Sequence, residues 1–558
     1  MNSAEYATHA QADVWLAQKL QPRVQNNLVA CWDVLGSIDT DLLNRAHQVV
    51  LEESPNLRVN FREIADGLVL IRHDLDEFDA DHFDVSLRGN SEAHSIEIVT
   101  SIARTPFNLS TDRLYRLGSV KLAEDRFMVF MVFHHIVTDA LGLSVYCHRV
   151  ADVYTDLSSR APVRPWVASI PNAIAQQERD YLGSSRHDDD LDFWATYLAH
   201  KAAAPVLHAD GIPSGRISGL KQEENPISTI AEAVGMNSVT ATLPRADVIN
   251  LERTGSALNV NLHSLLIGAA AVAFRRLSTS SRFTFAIAVA NRRGTARMVP
   301  GLAANAIPIC AKVDSGESLA EVVKTIASEL PRLYRHSRIP IGEVRRRLFP
   351  PGQGRSPVGP VLSFIPVNNT IYFAHSTARL HSACFPNLDE LMISFYVKGN
   401  DSDLAVSFDA PADMYTRTQL RTVSAALLRS ISDFTNAPEE TVGKSQAASS
   451  ATAAPENGIA SQSITERAAY RAPRNVWEKE LSQIFADALK VERVGIDDDF
   501  FQLGGNSLVA IGIVARLRKD LGTELSLREL FEAPTIANLA DRRHAASVSD
   551  RPALRRMT

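Results

Sequence analysis

From Ser445 to Ser463 the chain reads Ser-Gln-Ala-Ala-Ser-Ser-Ala-Thr-Ala-Ala-Pro-Glu-Asn-Gly-Ile-Ala-Ser-Gln-Ser, and Ile459 is its one large apolar side chain. Such a stretch buries too little apolar surface to offset the entropy of ordering it. It therefore splits the chain into pieces that must each build a core of their own: residues 1–443 before it and 465–545 after it, with 444–464 as flexible linker and 546–558 as tail. A coil of this composition reaches roughly 25 Å end to end, so the shorter piece can travel over the longer.

The longer piece alternates helical and strand patterns. Phe127 to Phe133 is an unbroken apolar run that reads as a buried strand ending at His134 and His135, and Leu143 to Leu157 reads as a helix. Leu262 to Leu277 predicts a buried helix, Phe283 to Val289 a strand, and Leu391–Val397 and Leu404–Phe408 a pair of strands. After the linker, Trp477, Leu481, Ile484, Phe485 and Leu489 fall at helical spacing behind Asn475 as N-cap. A second helix begins at Ser507, Ser526-Leu527-Arg528-Glu529 forms a capping box, and Thr535 caps a last helix over Ile536–Arg543. The expectation is an α/β or α+β body followed by a small helical bundle.

Composition narrows the function. Hydrophobic residues make up 45% and charged residues 22% of the 558, with no apolar run of membrane-spanning length. The first twenty residues carry Glu5 and Asp13 where a secretory signal needs an unbroken apolar core. A cytoplasmic protein is expected, with no membrane partner. A net charge of −6 gives no reason to expect nucleic acid. Cys31, Cys147, Cys310 and Cys384 are scattered, which predicts reduced core thiols and no metal site.

Two segments carry chemistry. Gly504-Gly505-Asn506-Ser507 places a serine hydroxyl at the positive end of a helix, where an anionic phosphodiester is stabilised. The wider stretch Val494 to Leu508, with Pro473 before it and Phe531-Glu532-Ala533-Pro534-Thr535-Ile536 after it, resembles the peptidyl carrier domains of nonribosomal peptide synthetases. The resemblance implies a four-helix carrier bearing 4'-phosphopantetheine covalently on Ser507, installed by a phosphopantetheinyl transferase. The second segment is His134-His135-Ile136-Val137-Thr138-Asp139. An imidazole held at the end of a buried strand can take a proton from an attacking amine or hold it by hydrogen bonds, and the sequence leaves both roles open. This segment resembles the His-His-x-x-x-Asp-Gly signature of condensation domains, relatives of chloramphenicol acetyltransferase.

The resemblance implies a two-lobed chloramphenicol-acetyltransferase-like fold, with lobes of approximately 1–175 and 176–443. It gives His135 the central catalytic role, makes His134 and Asp139 supports, and pairs Arg292 with Asp139. Ala10–Leu16, Asn56–Phe61 with Arg58, and Gly301–Pro308 with Asn305 resemble further motifs of that family in the same order. Ala140 stands where the signature has glycine, and Gly142 follows two residues later. If that backbone needs positive φ, alanine costs about 1 kcal/mol or more; if φ is negative, the change is nearly neutral.

The chain has neither an adenylation domain's several hundred extra residues nor a Gly-x-Ser-x-Gly elbow. The expected function is acyl transfer from an upstream donor carrier to an amine, with intermediates on the chain's own arm. An adenylation enzyme or other loading partner is then required, and a downstream releasing or tailoring enzyme. A hydroxyl acceptor would give an ester. Two other classes stay open: a non-catalytic platform, which would never transfer, and a free-standing acyltransferase, which would survive Ser507→Ala.

Overall fold

The computed structural model describes residues 5–20, 26–64, 67–75, 78–166, 173–199, 204–205, 207, 230–232, 234–348, 358–366, 370–384, 390–397, 403–443, 470–489, 491–500, 503, 507–521, 525, 529–530 and 533–549. The body is built on two six-stranded sheets and a small hairpin. In chain order the elements of the first part are α1 (His9–Leu20), β1 (Asn27–Leu35), α2 (Thr40–Glu52), β2 (Val59–Ile64), β3 (Gly67–Arg72), β4 (Asp81–Asp84), α3 (Ser91–Arg104), β5 (Tyr115–Ala123), β6 (Arg126–His134) and α4 (Ala140–Ser158). The second part contributes β7 (Met236–Leu243), β8 (Arg282–Val289), β9 (Asn305–Lys312), β10 (Val361–Pro366), β11 (Thr370–Phe373), β12 (Ser376–Cys384), β13 (Met392–Val397) and β14 (Leu404–Pro411).

The first sheet has the order β11-β12-β1-β6-β5-β4. β6 pairs antiparallel with β1 from His134↔Asn27 to Arg126↔Leu35, and with β5 on its other edge. Its seven residues Phe127–Phe133 are all buried, which is why the strand reads as a continuous apolar run. The second sheet has the order β7-β14-β13-β10-β8-β9, with β10 parallel to both β8 and β13. One of its faces, with Leu362, Phe395, Val406 and Phe408, is buried with apolar residues of the helices Leu262–Leu277 and Arg417–Asn436. The expected strand pair at 391–408 is β13 and β14, antiparallel with Tyr396↔Ala405.

One expectation is corrected. The lobes do not divide cleanly near residue 175, because β11 and β12 leave the second part of the chain and complete the first sheet against β1. The hairpin between them is short, and its hydrophobic residues Ile371, Phe373 and Ala378 are buried in the first core.

Beyond the linker, helices Val476–Leu489, Ser507–Leu521 and Ile536–Ser549 enclose Leu481, Phe485, Phe500, Leu517 and Ile536. The Asn475 side chain accepts from Glu478 N at 2.9 Å, and Thr535 Oγ1 from Asn538 N at 3.3 Å, so both expected caps form. Most of the capping box expected at Ser526–Glu529, at the start of a fourth helix, lies outside the described residues. Helix Ser507–Leu521 packs on α1 and on the β2–β3 hairpin of the body. Among the described residues no single helix is long and apolar enough to cross a membrane; the bent pair Arg245–Leu258 and Leu262–Leu277 is so only jointly. Cys31, Cys147 and Cys310 are thiols, and the side chain of Cys384 lies outside the described residues.

Candidate active site

β6 delivers two histidines to its end in different environments. His134 is buried, its ring edge against Phe107, its Nδ1 accepting from Ile136 N at 3.2 Å and its Nε2 3.5 Å from Gln18 Oε1 on α1. Burial, with repulsion from His135 and Arg116, lowers its pKa to about 3, so it stays neutral. His135 is different. Its backbone N–H donates to Asn26 O at 2.7 Å, and its ring Nδ1 lies 2.9 Å from Thr138 O. A carbonyl only accepts, so Nδ1 carries the hydrogen, and in the neutral ring Nε2 is the nitrogen with the lone pair. Between Phe127 and Asp139 every residue but His135 is buried, and His135 is partly exposed.

Asp139 joins the two halves of the body. It caps α4 through Gly142 N to Oδ1 at 2.9 Å. The same oxygen accepts from Arg292 Nη1 at 2.9 Å, while Oδ2 accepts from Ala303 N at 2.9 Å and Ala304 N at 2.8 Å. Arg292 Nη2 also donates to Gly301 O. Burial alone would raise the Asp139 carboxyl, but Arg292 and the N–H groups of Ala303, Gly142 and Ala304 outweigh it and hold the pKa below the usual carboxylate value. The expected Arg292–Asp139 pair is therefore present, and both members are buried. Asn291, just before Arg292, has φ of 49°, a left-handed conformation asparagine tolerates, and its carbonyl accepts from Gln177 Nε2 at 3.0 Å.

The departure at Ala140 is settled by the backbone. The described non-glycine residues with positive φ are Asn90, Arg160, Asn259, Asn291 and Ala374, so Ala140 has negative φ and carries no strain there. It is the first residue of α4, where alanine is a good helix former. The glycine this site does require is Gly142. A Cβ there would lie 2.4 Å from Thr138 Oγ1 and 2.7 Å from Gly301 O.

The remaining expected residues brace other parts of the body. Arg58 donates from Nε to Leu51 O at 2.9 Å and from Nη1 to His73 O at 2.6 Å, tying the end of α2 to β3. Asn305 donates to Ser337 O and Ile339 O at 2.9 and 2.6 Å and accepts from Ile341 N, fixing the turn at 337–341. Among the described hydrogen bonds neither touches the histidine motif. Sequence reasoning passed over Gln18, the Asn26 carbonyl, and the N–H groups of Ala303 and Ala304. Gln18 lies just beyond the Ala10–Leu16 motif on the same helix, which is the one signal that pointed toward it.

Ser507 opens helix Ser507–Leu521. In that first turn backbone N–H groups lack intrahelical partners, which suits an anionic phosphodiester. Gly504–Asn506 and the Ser507 side chain lie outside the described residues. No group of three metal-ligating side chains occurs among the described residues.

A fold of two sheets joined at a His-His-x-x-x-Asp motif, followed by a helical carrier, defines a class. The chain belongs to the condensation domain family, whose model matches residues 2–454, and the phosphopantetheine attachment site model matches 479–542. Domains of the latter kind carry 4'-phosphopantetheine covalently on a serine. Among curated relatives, the dimodular nonribosomal peptide synthase of Bacillus subtilis (strain 168) is 26% identical over 416 residues, 74% of this chain and 17% of that protein. The malpinin synthetase of Mortierella alpina is 51% identical over 80 residues, 14% of this chain and 1% of that protein. The chain thus spans a minor part of these relatives. Among solved structures, the first condensation domain of the calcium-dependent antibiotic synthetase aligns with TM-score 0.68 at 22% identity, over 79% of this chain and 98% of that one. The starter condensation domain of rhizomide synthetase, in complex with C8-CoA, aligns with TM-score 0.70 at 20% identity, over 79% and 97%.

Proposed function

We propose that the chain forms an amide by moving an acyl group from an upstream carrier thioester to an amine held by its own carrier domain at Ser507, with His135 as the catalytic residue. The observation that carries this reading is His135, partly exposed in a buried motif, with Nδ1 committed to the Thr138 carbonyl. An α-amino group with a pKa near 8 is only partly neutral at pH 7. His135 Nε2 accepts a hydrogen from the amine and aligns its lone pair on the donor carbonyl carbon. The C–N bond forms, the C–S bond to the upstream carrier breaks, and the proton lost from nitrogen passes by way of His135 to the leaving thiolate. When bound, the phosphopantetheine arm supplies the thiol that carries the acceptor into the site. His134 stays neutral and holds the motif by hydrogen bonds, and Asp139 with Arg292 keeps the two halves of the site in register.

Packing of helix Ser507–Leu521 on α1, which carries Gln18 against His134, favours the chain's own carrier as acceptor. The division of the chain at 443 and 465 belongs to this reading, as do the partners: a donor carrier, a phosphopantetheinyl transferase, a stand-alone adenylation or other loading enzyme, a releasing or tailoring enzyme, and a cytoplasmic setting.

The test is intact-mass analysis of pantetheinylated, amine-loaded protein mixed with an acyl-loaded donor carrier. The acyl mass is expected to move onto this chain, and His135→Ala to stop the transfer. Undiminished transfer in that variant would remove His135 from the mechanism. No transfer at all would favour the non-catalytic platform, and turnover that survives Ser507→Ala would favour a free-acceptor acyltransferase.

A further inference from the structure

The second sheet has two unlike faces. The face turned from the helices carries Ser394, Tyr396, Ser407 and Asp409, and the register pairs Tyr396 with Ala405, Ser394 with Ser407 and Asp409 with Ser238. Tyr396 and Ile365 form a small cluster with Ala140, Leu380 and Ala405, so this face meets the first sheet at the residue after Asp139. From there a polar chain runs along the strands. The Tyr396 hydroxyl lies 3.5 Å from Ser407 Oγ, Ser407 Oγ donates to Asp409 Oδ2 at 2.7 Å, and Ser238 Oγ donates to Oδ1 at 2.6 Å. Asp409 is four residues along β14 from Ala405, about 13 Å at about 3.3 Å per residue.

Asp409 is buried, and desolvation raises its carboxyl to about 6 against the two serine donors. Among the described residues no Lys, Arg or His forms an ion pair with it. A buried carboxylate without a countercharge is costly, and a cationic ligand relieves that cost. The face also lies away from the chain's own carrier. In the first sheet β12, which bears Leu380, and β5 lie on opposite sides of β6. The carrier helix packs on α1 and the β2–β3 hairpin, which joins the β5 side through Phe61 N to Leu109 O at 2.9 Å.

We infer that this face is the floor for the far end of the donor acyl group, and that Asp409 selects a tail ending in an amino group over an apolar tail; the side assigned to the donor rests on the acyl transfer proposed for His135. The full chain is titrated calorimetrically at pH 8 with 8-aminooctanoyl-pantetheine and nonanoyl-pantetheine, thioesters of matched length. The amino ligand is expected to bind tighter by about tenfold or more, and Asp409→Asn to remove most of that preference. Equal affinities, a preference for nonanoyl, or a preference unchanged in D409N would overturn the assignment. Should D409N fail to fold, 8-acetamidooctanoyl-pantetheine replaces the variant: loss of the preference supports the inference, and binding as tight as the amine overturns it. Product formation is scored separately, so a binding preference without His135-dependent transfer would refute the reaction and leave the binding face standing.

Discussion

At the scale of single residues, neighbouring positions in the histidine motif differ sharply in what they tolerate. Gly142→Ala places a methyl against Thr138 Oγ1 and the Gly301 backbone, and the latter cannot yield without parting α4 from the segment before β9. We expect at least about 1–3 kcal/mol of lost stability, read by urea denaturation, together with loss of acyl transfer. Ala140→Gly restores the family's residue, yet its negative φ gives glycine nothing to relieve. Its expected effect is a loss of roughly 0.5–1 kcal/mol from helix propensity at most, and a gain in stability would contradict an unstrained start to α4. The motif itself was legible in the sequence, because His134, His135 and Asp139 are consecutive or nearly so and end an unmistakable apolar run. Their inequality was not. Whether an imidazole is sealed against Phe107 or partly exposed depends on residues such as Gln18 and Asn26 that only the fold brings near.

At the scale of elements, the pin formed by Asp139 couples the start of α4 to the segment after β8. Arg292→Leu leaves the Asp139 carboxylate buried without its countercharge, at an expected cost of about 3–5 kcal/mol. The pH dependence has a definite sign. Since the folded-state pKa of Asp139 lies below its unfolded value, its contribution is present above the unfolded pKa and is lost as pH falls through the folded one. Acid titration of tryptophan fluorescence should therefore show R292L unfolding at a higher pH than wild type; coincident midpoints would show that the pair does not support the body. Strands and helices of the body were mostly visible as periodicity: Leu262–Leu277 has the bounds the sequence suggested, and β6 extends the expected strand by a residue at each end. The Arg292–Asp139 contact came from resemblance, because 153 positions separate the partners and no local pattern joins them. Strand order escaped for the same reason. Nothing in Ser376–Cys384 announces that it pairs with β1 as well as with β11 beside it in sequence.

At the scale of the whole molecule, the proposed division at 444–464 predicts that the length of this segment governs how often carrier and body meet. Removing residues 447–460 shortens its reach, and transfer to the attached carrier should fall while transfer to an excised carrier domain added in solution is retained. Equal effects on both would mean that the deletion damages the body instead. The crossing of β11 and β12 into the first sheet acts at an earlier stage of the protein's life. During synthesis β1 emerges early, yet the strand that covers its open edge is not made until Ser376 has been passed. Until then the ribosome carries a nascent chain with a bare sheet edge, a template for pairing with any extended polypeptide nearby. Slowed elongation between β1 and β12 is therefore expected to lower the soluble yield, and equal yields from fast and slow translation would show that the edge is not exposed on the way.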